Sequence, residues 1–352
     1  MICAAILGAG IGVQHLEAYR ALSDRFQVSL IVDRDAARAR AMDASIEWSG
    51  EIEVAISDPE IDLIDICLPP HLHVPVALDA LAAGKHVICE KPIATSMADI
   101  ARLRVASEAT GAQLFPIFQY RFGPAIAALK TMISNGSTGA PQVAALETHW
   151  SRDAAYYSEP WRGTWVGEQG GAILGHAIHT HDLLTYLLGP VAQLSAAIAT
   201  RVNPIETEDC AAISFQMANG ALATSSVTLG AAVDETRIRL VFENLTATSG
   251  WVPYAPATGT WRFEARDPAL QPKLDAIVQA TARARAGYVG AFDAIADALQ
   301  GTPGHEVTFA DGAASIELVT AIYASARTGV RTTLPLSKDH AFFNGWLPDQ
   351  TV

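Results

Sequence analysis

The sequence predicts two architectures in series: a doubly wound parallel α/β sheet over residues 1–121, and an α+β domain on an open, largely antiparallel sheet over residues 122–352. Three observations predict this. Apolar strand runs alternate with helical patterns from Ile2 to about Phe118, the rhythm of parallel strands with crossover helices. A glycine turn, Gly8-Ala9-Gly10-Ile11-Gly12, joins the first strand to the first helix. From residue 191 onward, short strands follow one another across glycine and Asn-Gly turns, Asn219-Gly220 being the clearest.

Taken in order, residues 2–7 are wholly apolar, as in strands buried on both faces. The glycine turn and a helix over residues 13–22 follow at once. In that setting the first glycine permits the tight turn and the second lets backbone approach a pyrophosphate. The helix amino end offers unpaired N–H groups to the anion. The next strand, 28–32, ends in Asp33, about 20 residues beyond the glycines. A carboxylate there accepts from both ribose hydroxyls and repels a 2′-phosphate, which favours NAD. Arg34 and Arg38 stand beside it with charges suited to that phosphate, so NADP stays open as well.

A buried strand over 61–68 ends in the rigid Pro69-Pro70 loop, and a helix over 74–83 returns the chain to Gly84. The strand ending at Cys89 then delivers Glu90 and Lys91 to a strand carboxyl end, where Pro92 stops the ladder. Strand carboxyl ends form the ligand rim of an open parallel sheet. A lysine held there can shed hydration, lower its pKa and take a hydroxyl proton. The bland alternative is a strand-end ion pair. A helix over 97–110 and a strand over 113–118 complete this domain.

In the second domain, a helix to about Ser134 and a strand over 143–150 lead into Tyr156, Tyr157, Trp161, Arg162 and Trp165. Aromatic rings among polar groups suit a carbohydrate, or they plug a loop against the sheet; the residues alone leave both readings open. Residues 175–188 run Gly-His-Ala-Ile-His-Thr-His-Asp and then apolar at helical spacing to Gly189-Pro190. On a helix His179 lies one turn from both His176 and Asp182, which places Asp182 to orient an imidazole, while His181 points elsewhere. Three histidines at this spacing have no strong ligand precedent, so no metal is expected. Strands over 191–202, 209–217, 221–229 and 236–248, then helices over 281–300 and 310–328, finish the chain.

Half of the 352 residues are apolar and 17% are charged, which predicts packed cores rather than disorder. A net charge of −13 argues against nucleic acid and against an anionic membrane surface. The four cysteines form no C-x-x-C pair, and no apolar stretch is long enough to span a bilayer. A cytoplasmic protein with reduced thiols and a small neutral substrate is the expectation.

These residues together resemble the Gfo/Idh/MocA oxidoreductases, which include glucose–fructose oxidoreductase and inositol 2-dehydrogenase. The resemblance rests on the glycine turn with His15, Pro69-Pro70 with His73, Ala83-Gly84-Lys85-His86-Val87 and Glu90-Lys91-Pro92. It extends through Tyr120-Arg121-Phe122, Gly170-Gly171, His179 and Asp182-Leu183-Leu184 to Ser325-Ala326-Arg327-Thr328-Gly329. It implies a Rossmann-type first domain and a nicotinamide cofactor held by Gly8, Gly10, Ile11, Gly12, Asp33, Arg34, Leu68, Pro69, Pro70, His73, Glu90 and Lys91. Lys91 is then the active-site lysine with His179 as its catalytic partner, and the Lys91–Pro92 bond is permitted to be cis; His176 is a catalytic candidate as the substitute for the carboxylate that relatives carry at position 175, the alternative being that Lys91 and His179 suffice. Gln119, Arg121, Tyr156, Trp161, Arg162 and Trp165 are expected on the substrate. The implied substrate is a sugar, polyol or glycoside. An open antiparallel sheet needs its second face covered, so a homodimer or homotetramer through the C-terminal sheet is expected.

Two departures stand out. Relatives read G-x-G-x-x-G-x-x-H, whereas here Gly12 follows Gly10 by two residues. Many relatives also carry D-x-x-x-H with a catalytic Asp, and here that position is Gly175. A retained-NAD enzyme performing oxidation, elimination or hydrolysis, and re-reduction is therefore a second reading. A ligand-binding homologue without turnover is a third.

Overall fold

The computed structural model describes residues 1–348. The chain divides into two compact units, one made of Met1–Phe118 and Tyr288–Ile316, the other of Gln119–Gly287 and the chain from Glu317 onward.

The first unit runs β1 (Ile2–Leu7), α1 (Gly12–Ala21), β2 (Phe26–Val32), α2 (Ala36–Met42), β3 (Glu47–Ser49), α3 (Ile52–Ser57), β4 (Leu63–Ile66), α4 (His73–Ala82), β5 (His86–Cys89), α5 (Met97–Thr110) and β6 (Leu114–Pro116). All six strands are parallel, in the order β3-β2-β1-β4-β5-β6. Ala4 to Leu7, Leu63, Ile64, Ile66 and Val87 to Cys89 are fully shielded from solvent, because helices cover both faces of such a sheet. The strand order reverses between β1 and β4, the point beyond whose carboxyl ends open parallel sheets take their ligands. The small elements α2, β3 and α3 lie below the length at which hydrophobic periodicity separates helix from strand. What fixes α2 is a cap: the Asp35 carboxylate accepts from the N–H groups of Ala37 and Arg38.

The second unit continues with α6 (Pro124–Ser134), β7 (Pro141–Ser151), a π-helical turn (Ile173–Ala177) leading directly into α7 (Ile178–Leu188), β8 (Val191–Ala199), β9 (Cys210–Met217), β10 (Leu222–Thr228), β11 (Gly230–Phe242), β12 (Leu245–Thr248), β13 (Arg262–Ala265) and α8 (Gln271–Thr281). After α9 (Gly287–Leu299) and α10 (Phe309–Thr328), β14 (Thr332–Thr333) joins the sheet edge. The eight strands order as β13-β12-β11-β7-β10-β9-β8-β14, and β7–β10 is the parallel pair in an otherwise antiparallel sheet.

Three expectations are corrected. The strand read over 236–248 is two strands, because Glu243 and Asn244 make a turn whose N–H groups donate to Ala140 and Thr138. The turn contains neither glycine nor proline, and Asn244 is the one turn-favouring residue that marks it. The helix read over 281–300 starts only at Gly287, which sits at φ +57°, and the residues before it close a separate helix, α8, that the sequence pattern did not reveal. Helix propensity alone would carry the alanine-rich connection onward. Finally, Tyr288–Ile316 belongs to the first unit rather than to a single C-terminal block. Phe292 is fully buried against His15, Tyr19 and Phe26, and Arg25 reaches Asp293 and Asp297 at 2.7 Å each.

Candidate active site

The first unit builds its site from the β1–α1 turn. Gly8 has φ +106°, and a Cβ there would lie 2.5 Å from the Cys67 carbonyl oxygen, so only glycine fits. A Cβ on Gly10 would meet only Arg38 Nη2, at 3.5 Å, which leaves that face of the turn open. Although the turn is one residue short, α1 still begins at Gly12, and no side chain caps its amino end at Ile11. Its N–H groups are thus in the state that suits an anion.

Asp33 has a task the sequence did not announce. Its carboxylate accepts from the Ala9 N–H at 2.7 Å and from the Asp35 N–H at 2.8 Å, bracing the glycine turn. A carboxylate offers about four acceptor positions, so ribose hydroxyls still find room. Arg38 lies against the glycine turn and Arg34 is exposed. An open turn, an uncapped helix and an acceptor at the β2 end together fit a dinucleotide.

Glu90 and Lys91 follow β5 as expected, and the Lys91–Pro92 bond is cis. Glu90 is buried and held at both oxygens. Oε1 faces His15 Nε2 at 3.2 Å and accepts from the Tyr288 hydroxyl at 3.1 Å, while Oε2 accepts from the Lys91 N–H at 3.1 Å. The other nitrogen of His15, Nδ1, lies 2.9 Å from Asp65, which also accepts from the Tyr19 hydroxyl at 3.1 Å. Carboxylates on both sides favour the charged ring, in which both nitrogens of His15 donate. Burial alone would pull its pKa down; the charge of Asp65, aided by Cys67, overrides this and holds it well above the usual value. Burial pushes the adjacent Cys67 thiol up to about 12, so it is inert.

His73, expected on the cofactor, instead ties two loops together. Its ring nitrogens sit 2.7 Å from the Pro92 and Leu68 carbonyls, pinning the Leu68-Pro69-Pro70 loop to the turn after Lys91. Burial lowers its pKa against the pull of those two carbonyls.

In the second unit, Tyr156, Trp161, Arg162 and His176 come together. Arg162 donates to the Tyr156 hydroxyl and stacks over Tyr156 and Trp161 at 4.0 and 4.4 Å. The Tyr156 hydroxyl stands 3.5 Å from His176 Nε2. His179 stacks on Tyr120 with 4.5 Å between ring centres. Trp165 lies elsewhere, against Tyr323 and Arg327. Gln119 opens the short turn Gln119–Arg121. Arg121, expected on the substrate, gives Nε and Nη2 to Asp182 at 2.8 and 2.6 Å, both residues being buried. Such a bidentate fork fixes geometry, so the pair anchors α7. His181 points away, as read, with Nε2 2.9 Å from the Ser225 hydroxyl and burial lowering its pKa to about 4.

Glu208 was not visible from the sequence. Buried beneath the π-turn, it accepts from the N–H groups of Gly171 and Ile173 and from the Tyr323 hydroxyl. Burial raises its pKa to about 7, although those three donors pull the other way. A carboxyl with a raised folded pKa stabilises fully below its ordinary value near 4.5 and loses that contribution as pH rises through about 7. The difference is about 3 kcal/mol. Urea unfolding of Glu208→Gln is therefore expected to lose this decline between pH 4.5 and 7.5; parallel curves for variant and wild type would refute the assignment.

Comparison with known proteins agrees with this geometry. Residues 2–118 match the family described as "Oxidoreductase family, NAD-binding Rossmann fold", and residues 126–248 match the GFO/IDH/MocA C-terminal domain. The WlbA dehydrogenase of Bordetella pertussis, solved with NADH and UDP-GlcNAcA, superposes with a TM-score of 0.85 at 30% identity, covering 96% of this chain and 98% of that one. The uncharacterized oxidoreductase YrbE of Bacillus subtilis is 32% identical over 63% of this chain and 65% of its own length. Myo-inositol 2-dehydrogenase of Thermotoga maritima is 27% identical over 62% of this chain and 65% of its own. In both curated relatives the match thus spans less than two thirds of the protein. No helix among the described residues is long and apolar enough to cross a membrane. From the glycine turn through the Glu90-Lys91-Pro92 strand end to the eight-stranded sheet, the chain belongs to the GFO/IDH/MocA family of NAD-binding oxidoreductases.

Proposed function

We propose that the protein is an NAD-dependent dehydrogenase acting on a hydroxyl-bearing carbon of a sugar, polyol or glycoside. The observation that carries this is Glu90, gripped at both oxygens beside Lys91 at the carboxyl end of β5. When bound, the nicotinamide supplies the two-electron acceptor. Gly8, Gly10, Ile11 and Gly12 would hold the pyrophosphate of the dinucleotide, and Asp33 would take its adenosine ribose, with Arg34 exposed at the rim. The Leu68-Pro69-Pro70 loop, fixed by His73, shapes the wall. Lys91 receives the substrate hydroxyl proton. His179, stacked on Tyr120, and His176, beside Tyr156, handle substrate hydroxyls, and Trp161 and Arg162 offer an aromatic and hydrogen-bonding surface to the ring.

The sugar-type substrate is supported by two relatives: the WlbA dehydrogenase was solved with UDP-GlcNAcA, and another relative is named for inositol. The same reading carries a homodimer or homotetramer through the outer sheet face, where β10 presents Leu222, Thr224 and Ser226. The test combines thermal shift with NAD and NADP in parallel and NADH absorbance across a panel of sugars, polyols and uronates. Stabilisation is expected to be larger with NAD, with NADH formed from at least one carbohydrate. Equal indifference to both dinucleotides would end the proposal.

A further inference from the structure

Gly175 precedes His176 in the π-turn, and the space beside it is filled by a carboxylate from another segment. A Cβ built on Gly175 would meet a single atom within 4 Å, Glu168 Oε1 at 3.7 Å. Glu168 is buried in the loop that leads to the π-turn. Its Oε2 accepts from the Gly163 N–H at 2.6 Å, and Arg162 Nη1 lies 4.0 Å from Oε1. The next residue, Gln169, is the non-glycine with positive φ among the described residues, at +64°. That conformation is uncommon for such a side chain and persists only where surroundings enforce it; here the buried Trp346 donates from Nε1 to the Gln169 carbonyl at 2.8 Å.

A directed chain follows. Arg162, drawn toward Glu168, donates to the Tyr156 oxygen, so the phenolic hydrogen is left to point at His176 Nε2. A phenolic hydrogen aimed at Nε2 would select the neutral ring with its proton on Nδ1. Arg152 also lies over the Tyr156 ring, 4.9 Å away, and the Trp150 ring packs 5.0 Å from His176. Arg152, Tyr156, Arg162 and Glu168 are charged or titratable groups near this ring.

We propose that Glu168 is a positioning residue for the reaction: reaching in from the preceding loop, its carboxylate occupies the space beside Gly175 and, through Arg162 and Tyr156, sets the orientation and tautomer of His176. This rests on the reading that His176 serves the substrate.

The experiment compares wild type, Glu168→Gln, Glu168→Ala and the double variant Glu168→Ala with Gly175→Asp. The Gly175 site leaves room for a side chain once Glu168 is shortened, so the double variant returns a carboxylate to the same space from the other direction. For each protein, the His176 ring is titrated by NMR in the absence of substrate, and kcat and KM are measured across pH on a carbohydrate that wild type oxidises. Glu168→Ala and Glu168→Gln are expected to move the His176 titration and to lower kcat by roughly 10- to 100-fold, with KM for NAD unchanged. The double variant is expected to recover most of kcat and the wild-type pH profile. An unmoved His176 titration in Glu168→Gln, or a double variant no better than Glu168→Ala, would overturn the proposal. The titration needs no turnover, so absence of dehydrogenase activity in wild type would refute the functional reading separately.

Discussion

Lys91→Ala is expected to reduce kcat on any oxidised carbohydrate by about 100- to 10,000-fold, the range for losing a positioned proton acceptor, while unfolding stability changes by less than about 1 kcal/mol. The asymmetry follows from the structure. Lys91 is only half-buried, and the groups that fix its neighbour Glu90 come from His15, Tyr288 and the Lys91 main chain, none of which the substitution removes. Lys91→Arg is expected to be as inactive as Lys91→Ala, since a guanidinium stays protonated and cannot accept the hydroxyl proton. Steady-state rates with NAD and a confirmed substrate decide the matter. A Lys91→Ala enzyme turning over at the wild-type rate would remove the lysine from the chemistry.

His15→Leu carries the largest expected loss of stability. It strips the shared cation from Asp65 and Glu90, both buried. Removing one partner of a buried ionic set costs about 3–5 kcal/mol because the remaining charge is left uncompensated. The pH dependence has a definite sign. The folded His15 pKa is raised, through Asp65 against the opposing effect of burial. Its contribution is therefore fully present below about 6.5, the ordinary histidine value, and lost as pH rises through the raised one. Chemical denaturation of wild type and His15→Leu should show the widest gap in weak acid, closing only in alkali. Equal midpoints at pH 6 would show that the ring does not hold the two carboxylates together.

Much of the first unit was legible because its signals are local. β1 and α5 begin and end where the residues say they do, the latter between a serine cap at Ser96 and a left-handed Gly111. Glu90, Lys91 and Pro92 announced a strand end by themselves. What the sequence hid depends on partners that arrive from a distance: His15 meets Asp65 fifty positions later, and Glu90 meets Tyr288 from a helix that the pattern assigned elsewhere. A signal for Asp65 did exist, since a lone acid inside the apolar run Leu63–Ile66 needs a buried partner. For Arg121, residue type suggested a ligand contact, and only coordinates could show Asp182 filling its fork. Glu168 and Glu208 lie in loops without periodicity, where neither burial nor partners can be read in advance. His176, His179 and His181 were separable in part, because helical geometry alone turns His181 away from its neighbours.

Asp33 joins two obligations in one side chain, with consequences for how cofactor preference can change. Its oxygens restrain the backbone at Ala9, and in the proposed binding mode the same carboxylate would supply the charge that disfavours an extra phosphate on the adenosine ribose. An exchange to a small neutral residue, the usual first step toward the phosphorylated dinucleotide, would loosen the pyrophosphate turn at the same stroke. Asparagine retains an acceptor while discarding the charge. A lineage drifting toward the other coenzyme therefore has a narrow door here, and Arg38, already leaning on Gly10, stands on the far side of it.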